Sequence, residues 1–158
     1  MTTCCLMSTH TPEAAVLTAL ILEAFRLNGR LLADGDRLTG DLGLSSARWQ
    51  VMGAIEAVPL PVAQIARDMG LTRQAVQRLA NALADEGLVT FELNPNHRRA
   101  KLVHLTDRGR LALNEVNRRQ VEWSNRLAAG LAIETIEAAL ALMHTLRQRL
   151  EADHTEEA

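Results

Sequence analysis

The chain has 158 residues, 47% of them hydrophobic and 23% charged, the length and balance of one soluble globular domain. Aromatic residues make up 3% and Tyr is absent, which excludes the stacking platforms that hold single-stranded nucleic acid. The net charge of −2 excludes a uniformly basic surface, so an anionic partner has to be met by a local patch.

Residues 1–10 read as a disordered tail carrying Cys4 and Cys5. The tail lacks the basic region and long apolar core of a signal peptide. The apolar run Leu17 to Leu22 meets Glu23 and Arg26 too soon to span a membrane. A cytoplasmic protein is the expectation. Thr11-Pro12-Glu13 is a helix start: an N-cap, a proline at the first helical position and an acid favoured by the helix dipole. Leu17, Leu20, Ile21, Ala24, Leu27 and Leu31 follow at helical spacing, and this helix is expected to fade near Asp34-Gly35. The next helix begins after Ser45 or Ser46 and carries Trp49, Val51, Met52 and Ile55. It stops before Pro59 and Pro61, because residues preceding proline avoid helical angles.

From Pro61 to Leu105 the pattern predicts two short helices joined by a tight turn, then a hairpin. Pro61 suits a first helical position, with Val62, Ile65, Ala66 and Met69 as the buried stripe. Gly70 supplies the left-handed residue that ends this helix, and Leu71 packs back beneath the turn. Thr72 is an N-cap for the second helix, whose apolar stripe is Val76, Leu79, Ala80 and Leu83. Its outward face carries Arg73, Gln74, Gln77, Arg78 and Asn81, with no acid before Asp85. Such side chains bond to base edges and phosphates in a major groove. Val89, Phe91 and Leu93 then alternate as a half-buried strand, and Lys101 to Leu105 forms its partner with Val103 and Leu105 on one face. Between them Asn94-Pro95-Asn96-His97-Arg98-Arg99 makes a basic tip, the pattern of a wing that follows the backbone or enters a minor groove.

Thr106-Asp107 starts a long helix with Leu113, Val116, Gln120, Trp123 and Leu127 near heptad spacing, broken at Gly130. A last helix presents Ile136, Leu140, Met143, Leu146 and Leu150 in the same manner. The fold class is therefore mainly α with a small β-hairpin wing. A winged helix-turn-helix core spans 45–109, dimerisation helices span 11–44 and 110–152, and 153–158 is an acidic tail. The terminal helices carry more apolar surface than so small a core can cover, which predicts a two-fold homodimer holding two recognition helices at a fixed separation. Arg98, Arg99, Lys101, Arg108 and Arg110 cluster around the wing with only Asp107 against them, while Glu151, Asp153, Glu156 and Glu157 gather at the C-terminus. Double-stranded DNA is the partner this distribution fits.

In this order the blocks resemble the MarR family of winged helix-turn-helix regulators. The resemblance covers about Thr11 to Glu151. It is carried by Leu44-Ser45-Ser46-Ala47-Arg48-Trp49-Gln50-Val51, Ile65-Ala66, Gly70-Leu71-Thr72-Arg73-Gln74-Ala75-Val76 and Leu83-Ala84-Asp85-Glu86-Gly87-Leu88-Val89. Asn94-Pro95-Asn96-His97-Arg98-Arg99-Ala100-Lys101 and Leu105-Thr106-Asp107-Arg108-Gly109 complete it. It implies an obligate dimer, a pseudopalindromic operator, and repression often relieved by a small ligand or an oxidant. The family wing usually carries an acid two residues before the arginine that matches Arg99; here His97 holds that place, so either Arg98 or Arg99 is the groove-inserting residue. The resemblance also implies an effector cleft where the first helix, the Trp49 helix and the Thr106 helix meet, with Asn28, Leu32, Trp49 and Met52 as lining candidates. Plain core packing is the competing account of Trp49 and Met52.

The expected DNA contacts are Ser45 or Ser46 at a helix N-terminus, Thr72, Arg73, Gln74, Gln77 and Arg78 on the recognition helix, and Asn96, His97, Arg98, Arg99 and Lys101 on the wing. Asp68, Asp85 and Glu86 are candidates to pair with arginines inside the fold, which would make Arg73 or Arg78 partly structural. Nothing resembles a catalytic constellation, no cofactor is implied, and the five histidines lack metal-ligand spacing, so an enzyme is not expected. Cys4 and Cys5 offer a redox-sensing alternative, or pairing across a dimer or a soft-metal site with His10, against a reading as inert tail residues. A winged-helix interaction module without specific DNA binding is the rival from another class.

Overall fold

The computed structural model describes residues 10–95, 97 and 99–156, with side chains through Asp153. Cys4, Cys5, Asn96 and Arg98 therefore lie outside the described residues. Helix α1 spans Pro12–Thr39, opened by Thr11, whose hydroxyl oxygen accepts the Ala14 N–H at 3.2 Å. It does not fade at Asp34-Gly35 but runs to Thr39 and passes into a 3₁₀ turn, Gly40–Leu42. Gly35 serves packing rather than termination: a Cβ there would stand 2.1 Å from the Ser46 hydroxyl oxygen. The bare glycine lets Ser46 approach until its hydroxyl donates to the Leu32 carbonyl at 2.6 Å and its N–H to Asp36 Oδ1 at 2.7 Å. Gly43, in the left-handed region at φ 70°, then turns the chain into α2, Ser46–Ala54, which Ser45 caps by accepting the Arg48 N–H.

Strand β1, Leu60–Pro61, was not expected from the sequence. Pro61 sits at φ −73° and ψ 149°, one residue before helix α3, Val62–Met69, instead of inside it. A proline with no N–H to donate is tolerated on an outer strand, and β1 lies at the edge of a three-stranded antiparallel sheet ordered β1-β3-β2. Helix α4 spans Arg73–Asp85, strand β2 Val89–Glu92 and strand β3 Leu102–Leu105. The register pairs Leu60 with Val103, Phe91 with Val103 and Val89 with Leu105, so Val103 is covered from both sides. Pairing stops at Glu92 because β3 begins at Leu102; Leu93 lies beyond the strand and is 82% exposed, not half-buried.

The chain divides into two compact units, one ending at Arg119 and one beginning at Gln120. In the first, Val51, Met52, Ile65, Val76, Leu83, Val103, Leu113 and Val116 form a core closed to solvent. They come from the apolar stripes of several elements, and burying each is worth roughly 1.5–3 kcal/mol relative to exposure. Helix α5, Asp107–Ala128, crosses the division, and Gly130, at φ 82°, separates it from α6, Ile133–Glu156. On α6, Ile136, Leu140, Met143 and Leu150 are exposed; on α1, so are Val16, Leu20, Ile21 and Phe25. No single helix among the described residues is long and apolar enough to cross a membrane.

Candidate nucleic-acid interface

Gly70, at φ 63°, receives the turn between α3 and α4, and the Leu71 N–H closes it on the Ala66 carbonyl at 2.9 Å. Thr72 caps α4 by accepting the Ala75 N–H at 3.1 Å, so its side chain is committed to starting the helix. Because Val76, Ala80 and Leu83 are buried, helical geometry turns Arg73, Gln74, Gln77, Arg78 and Asn81 to solvent. The wing is held by turn bonds from His97 N–H to the Asn94 carbonyl (3.2 Å) and from Ala100 N–H to the His97 carbonyl (3.1 Å). His104 on β3 lies 3.3 Å from the Glu92 carboxylate on β2.

Between α4 and the wing opens a concavity of about 590 Å³. Arg73, Gln74 and Gln77 line it from the helix, and His97, Arg99 and Lys101 from the wing. Pro61, Val62, Ala63, Phe91 and Ala100 complete the lining. Six residues expected to meet DNA thus face one groove, although they come from two segments of the chain. No carboxylate among the described residues pairs with its cations. Glu86 is taken by Arg48, with N–O distances of 2.7 and 3.1 Å, and Asp68 accepts from Gln64 at 2.7 Å. Arg73 and Arg78 are therefore not structural ion-pair partners of those acids. What remains is a groove with uncompensated positive charge and several amides, the chemistry that meets phosphates and base edges together.

The MarR family model matches residues 42–100, from the 3₁₀ turn to the wing. An uncharacterized protein of Mycobacterium tuberculosis (strain H37Rv) is 34% identical over 137 residues, covering 87% of this chain and 96% of its own length. The chain belongs to the MarR family. It is thereby a winged-helix transcription regulator, in a family of regulators and not of enzymes. The HTH-type transcriptional regulator TcaR of Staphylococcus aureus (strain Newman) is 28% identical over 127 residues, 78% of this chain and 82% of its own. Among solved structures, the transcriptional repressor CouR bound to a 23-mer DNA duplex superposes with a TM-score of 0.72 at 23% identity, over 88% of this chain and 99% of its own. CouR from Rhodococcus jostii RHA1 is also known bound to p-coumaroyl-CoA.

Two expected site residues of this MarR-family chain are placed otherwise. Ser46 is buried, and both its hydroxyl and its N–H are used inside the fold, so it cannot also bind a phosphate. Met52 is fully buried in the core of the first unit, where an effector could reach it only by opening that core. Asn28 and Leu32 lie exposed on α1, and Trp49 is half-buried against the core. Ser45 keeps an accessible edge but spends its hydroxyl oxygen on the α2 cap. Among the described residues no three His, Cys, Asp or Glu side chains gather as a metal site.

The pairing of Glu86 with an arginine was expected from the sequence, but its partner Arg48 was not, nor were the partners of Asn81 and Arg119. Arg48 braces α2 to α4 through Glu86 and also donates to the Gly43 carbonyl at 2.9 Å. Asn81 accepts from Gln77 Nε2 at 2.9 Å, an i,i+4 pair that the sequence spacing could have shown. Arg119 on α5 donates to the Leu38 carbonyl (2.9 Å), to Asp41 (2.9 Å) and to Glu115 (2.8 Å). Hydrogen bonds from Arg118 and Arg119 hold the Glu115 carboxyl down to about 2, and Arg119 likewise lowers Asp41. Only the Glu115–Arg119 spacing was visible in the sequence; the contacts to α1 and the 3₁₀ turn depend on the fold.

Proposed function

We propose that this MarR-family regulator is a homodimeric repressor of a pseudopalindromic operator, released by a small-molecule effector. The observation that carries the reading is the groove between α4 and the wing, lined by unpaired Arg73, Arg99 and Lys101 beside the amides of Gln74 and Gln77. Helix α4 enters the major groove, where Gln74 and Gln77 read base edges and Arg73 and Arg78 grip base edges or phosphates. Arg99 and Lys101 follow the backbone into the adjacent minor groove, and His97 lines the same concavity. The exposed apolar faces of α1 and of α6 support pairing with a second copy, which sets half-sites about one helical turn apart. The ligand complex of CouR supports an effector, and release requires that effector to bind the DNA-incompetent spacing of the two heads more tightly.

Two substitutions separate the roles. Arg99→Ala should weaken binding to every sequence and reduce the slope of log affinity against log salt by about one for each phosphate it no longer neutralises. Gln77→Ala should cost about 1–3 kcal/mol of discrimination at one position per half-site and leave the salt slope unchanged. If Gln77→Ala lowered affinity equally on all sequences, its assignment as a base reader would be wrong.

A further inference from the structure

The recognition helix carries an amide pair whose second member does not line the groove. Gln77 Nε2 donates to Asn81 Oδ1 at 2.9 Å, and Gln77 faces the concavity while Asn81 stands one helical turn away. A free glutamine side chain rotates about three bonds and can present its amide either way round. When the tether uses the N–H trans to Oε1, the Gln77 amide keeps Oε1 and its cis N–H available side by side. That acceptor–donor edge matches the N6–H donor and N7 acceptor that adenine shows in the major groove, and it matches no other base as well. We propose that Asn81 is a positioning residue that orders Gln77 to read adenine at one position of each half-site. This inference rests on the operator-reading function proposed above.

The bland account of the pair is helix support, since i,i+4 side-chain hydrogen bonds of this kind stabilise helices weakly. The two accounts differ in what moves on substitution. Ordering one rotamer-rich side chain at an interface is worth a factor of about two to ten. Asn81→Ala should therefore reduce discrimination at the Gln77-read position by about two- to tenfold, leaving preferences at other positions as they were. Asn81→Asp keeps an acceptor and has no competing donor, so it preserves the tether. Its added charge should lower affinity on all sequences, yet discrimination at that position should stay near the wild-type value.

The experiment measures affinities of the full-length wild-type protein, N81A, N81D, Q77A and the Q77A/N81A double variant. The probes are a duplex selected from a random DNA pool by the wild-type protein and its single-base variants. The inference expects an adenine whose preference Q77A removes, N81A weakens and N81D retains, with N81A adding nothing on the Q77A background. It is overturned if N81A changes only thermal stability, if N81A and N81D lose discrimination equally, or if the position read by Gln77 is not adenine. Failure of the wild-type protein to enrich any sequence would overturn the operator-reading function itself, and with it the role given to Asn81.

Discussion

Gly109→Ala tests the packing that seats the wing. Alanine is the better helix former by about 1 kcal/mol, and on propensity alone the change should stabilise α5. The structure reverses the sign. A Cβ at 109 would lie 1.9 Å from the Leu88 carbonyl oxygen, 2.9 Å from its carbon and 3.2 Å from Leu105 Cδ2. Carbon–oxygen contacts ordinarily begin near ~3.3 Å, so the helix start would have to retreat by more than about 1 Å. That Leu88 oxygen accepts the Thr106 N–H at 3.1 Å and lies 3.1 Å from the Thr106 hydroxyl, whose oxygen in turn accepts the Gly109 N–H at 3.0 Å. Overpacking of about 1–3 kcal/mol, together with roughly 0.5–1.5 kcal/mol for each hydrogen bond broken, outweighs the propensity gain. With one hydrogen bond broken, the net expectation is a loss of about 0.5–3.5 kcal/mol. Because the Leu88 carbonyl that meets this Cβ leads directly into β2, the strain should also reach Phe91 beside the groove and lower DNA affinity. Gly53→Ala is the control: its Cβ meets nothing within 4 Å, and the change should stabilise by up to about 1 kcal/mol. Urea unfolding at one fixed protein concentration measures both, since the stability of the dimer proposed above would depend on concentration. A Gly109→Ala variant as stable as the parent, or an equal loss in both variants, would refute the reasoning.

Two further predictions follow from the helix cap and the α5 ion network. Thr72→Ala removes the cap of the recognition helix and should cost about 1 kcal/mol in urea unfolding, with Thr72→Ser largely neutral. Depressed carboxyl values at Glu115 and Asp41 contribute stability that is present above their unfolded values of 4.5 and 3.8 and is lost as pH falls through the folded ones. The wild-type melting temperature should accordingly decline from about pH 4.5 toward 2. Arg119→Gln should flatten that decline, keeping the part due to Arg118, and its deficit should be largest near neutral pH and shrink on acidification.

The helix-turn-helix was legible because each signal there is local. One stripe per helix, a left-handed Gly70 and a Thr72 cap each act within a turn or two, and together they decide which side chains of α4 face solvent. The features that escaped are those set by contacts across the fold. Gly35 reads as a helix terminator until Ser46 is seen pressed against it. Pro61 reads as a first helical residue until β3 is seen pairing beside it. Ser45 and Ser46 look equivalent in sequence, yet one is a half-exposed cap and the other is buried with both polar groups engaged. Met52 carries no mark that distinguishes core from cleft lining. On the wing, alternation carried the strand one residue too far, to Leu93, because the end of pairing depends on where β3 begins.

The most direct test of the central claim is selection of bound duplexes from a random DNA pool by the purified full-length protein, followed by sequencing. The groove between α4 and the wing predicts an enriched inverted repeat with half-sites about one helical turn apart, and loss of that enrichment in Arg99→Ala at the same salt. Enrichment of a single unrepeated site would contradict the two-fold arrangement. No enrichment at moderate salt from folded protein would contradict operator reading and leave the winged fold as an interaction module.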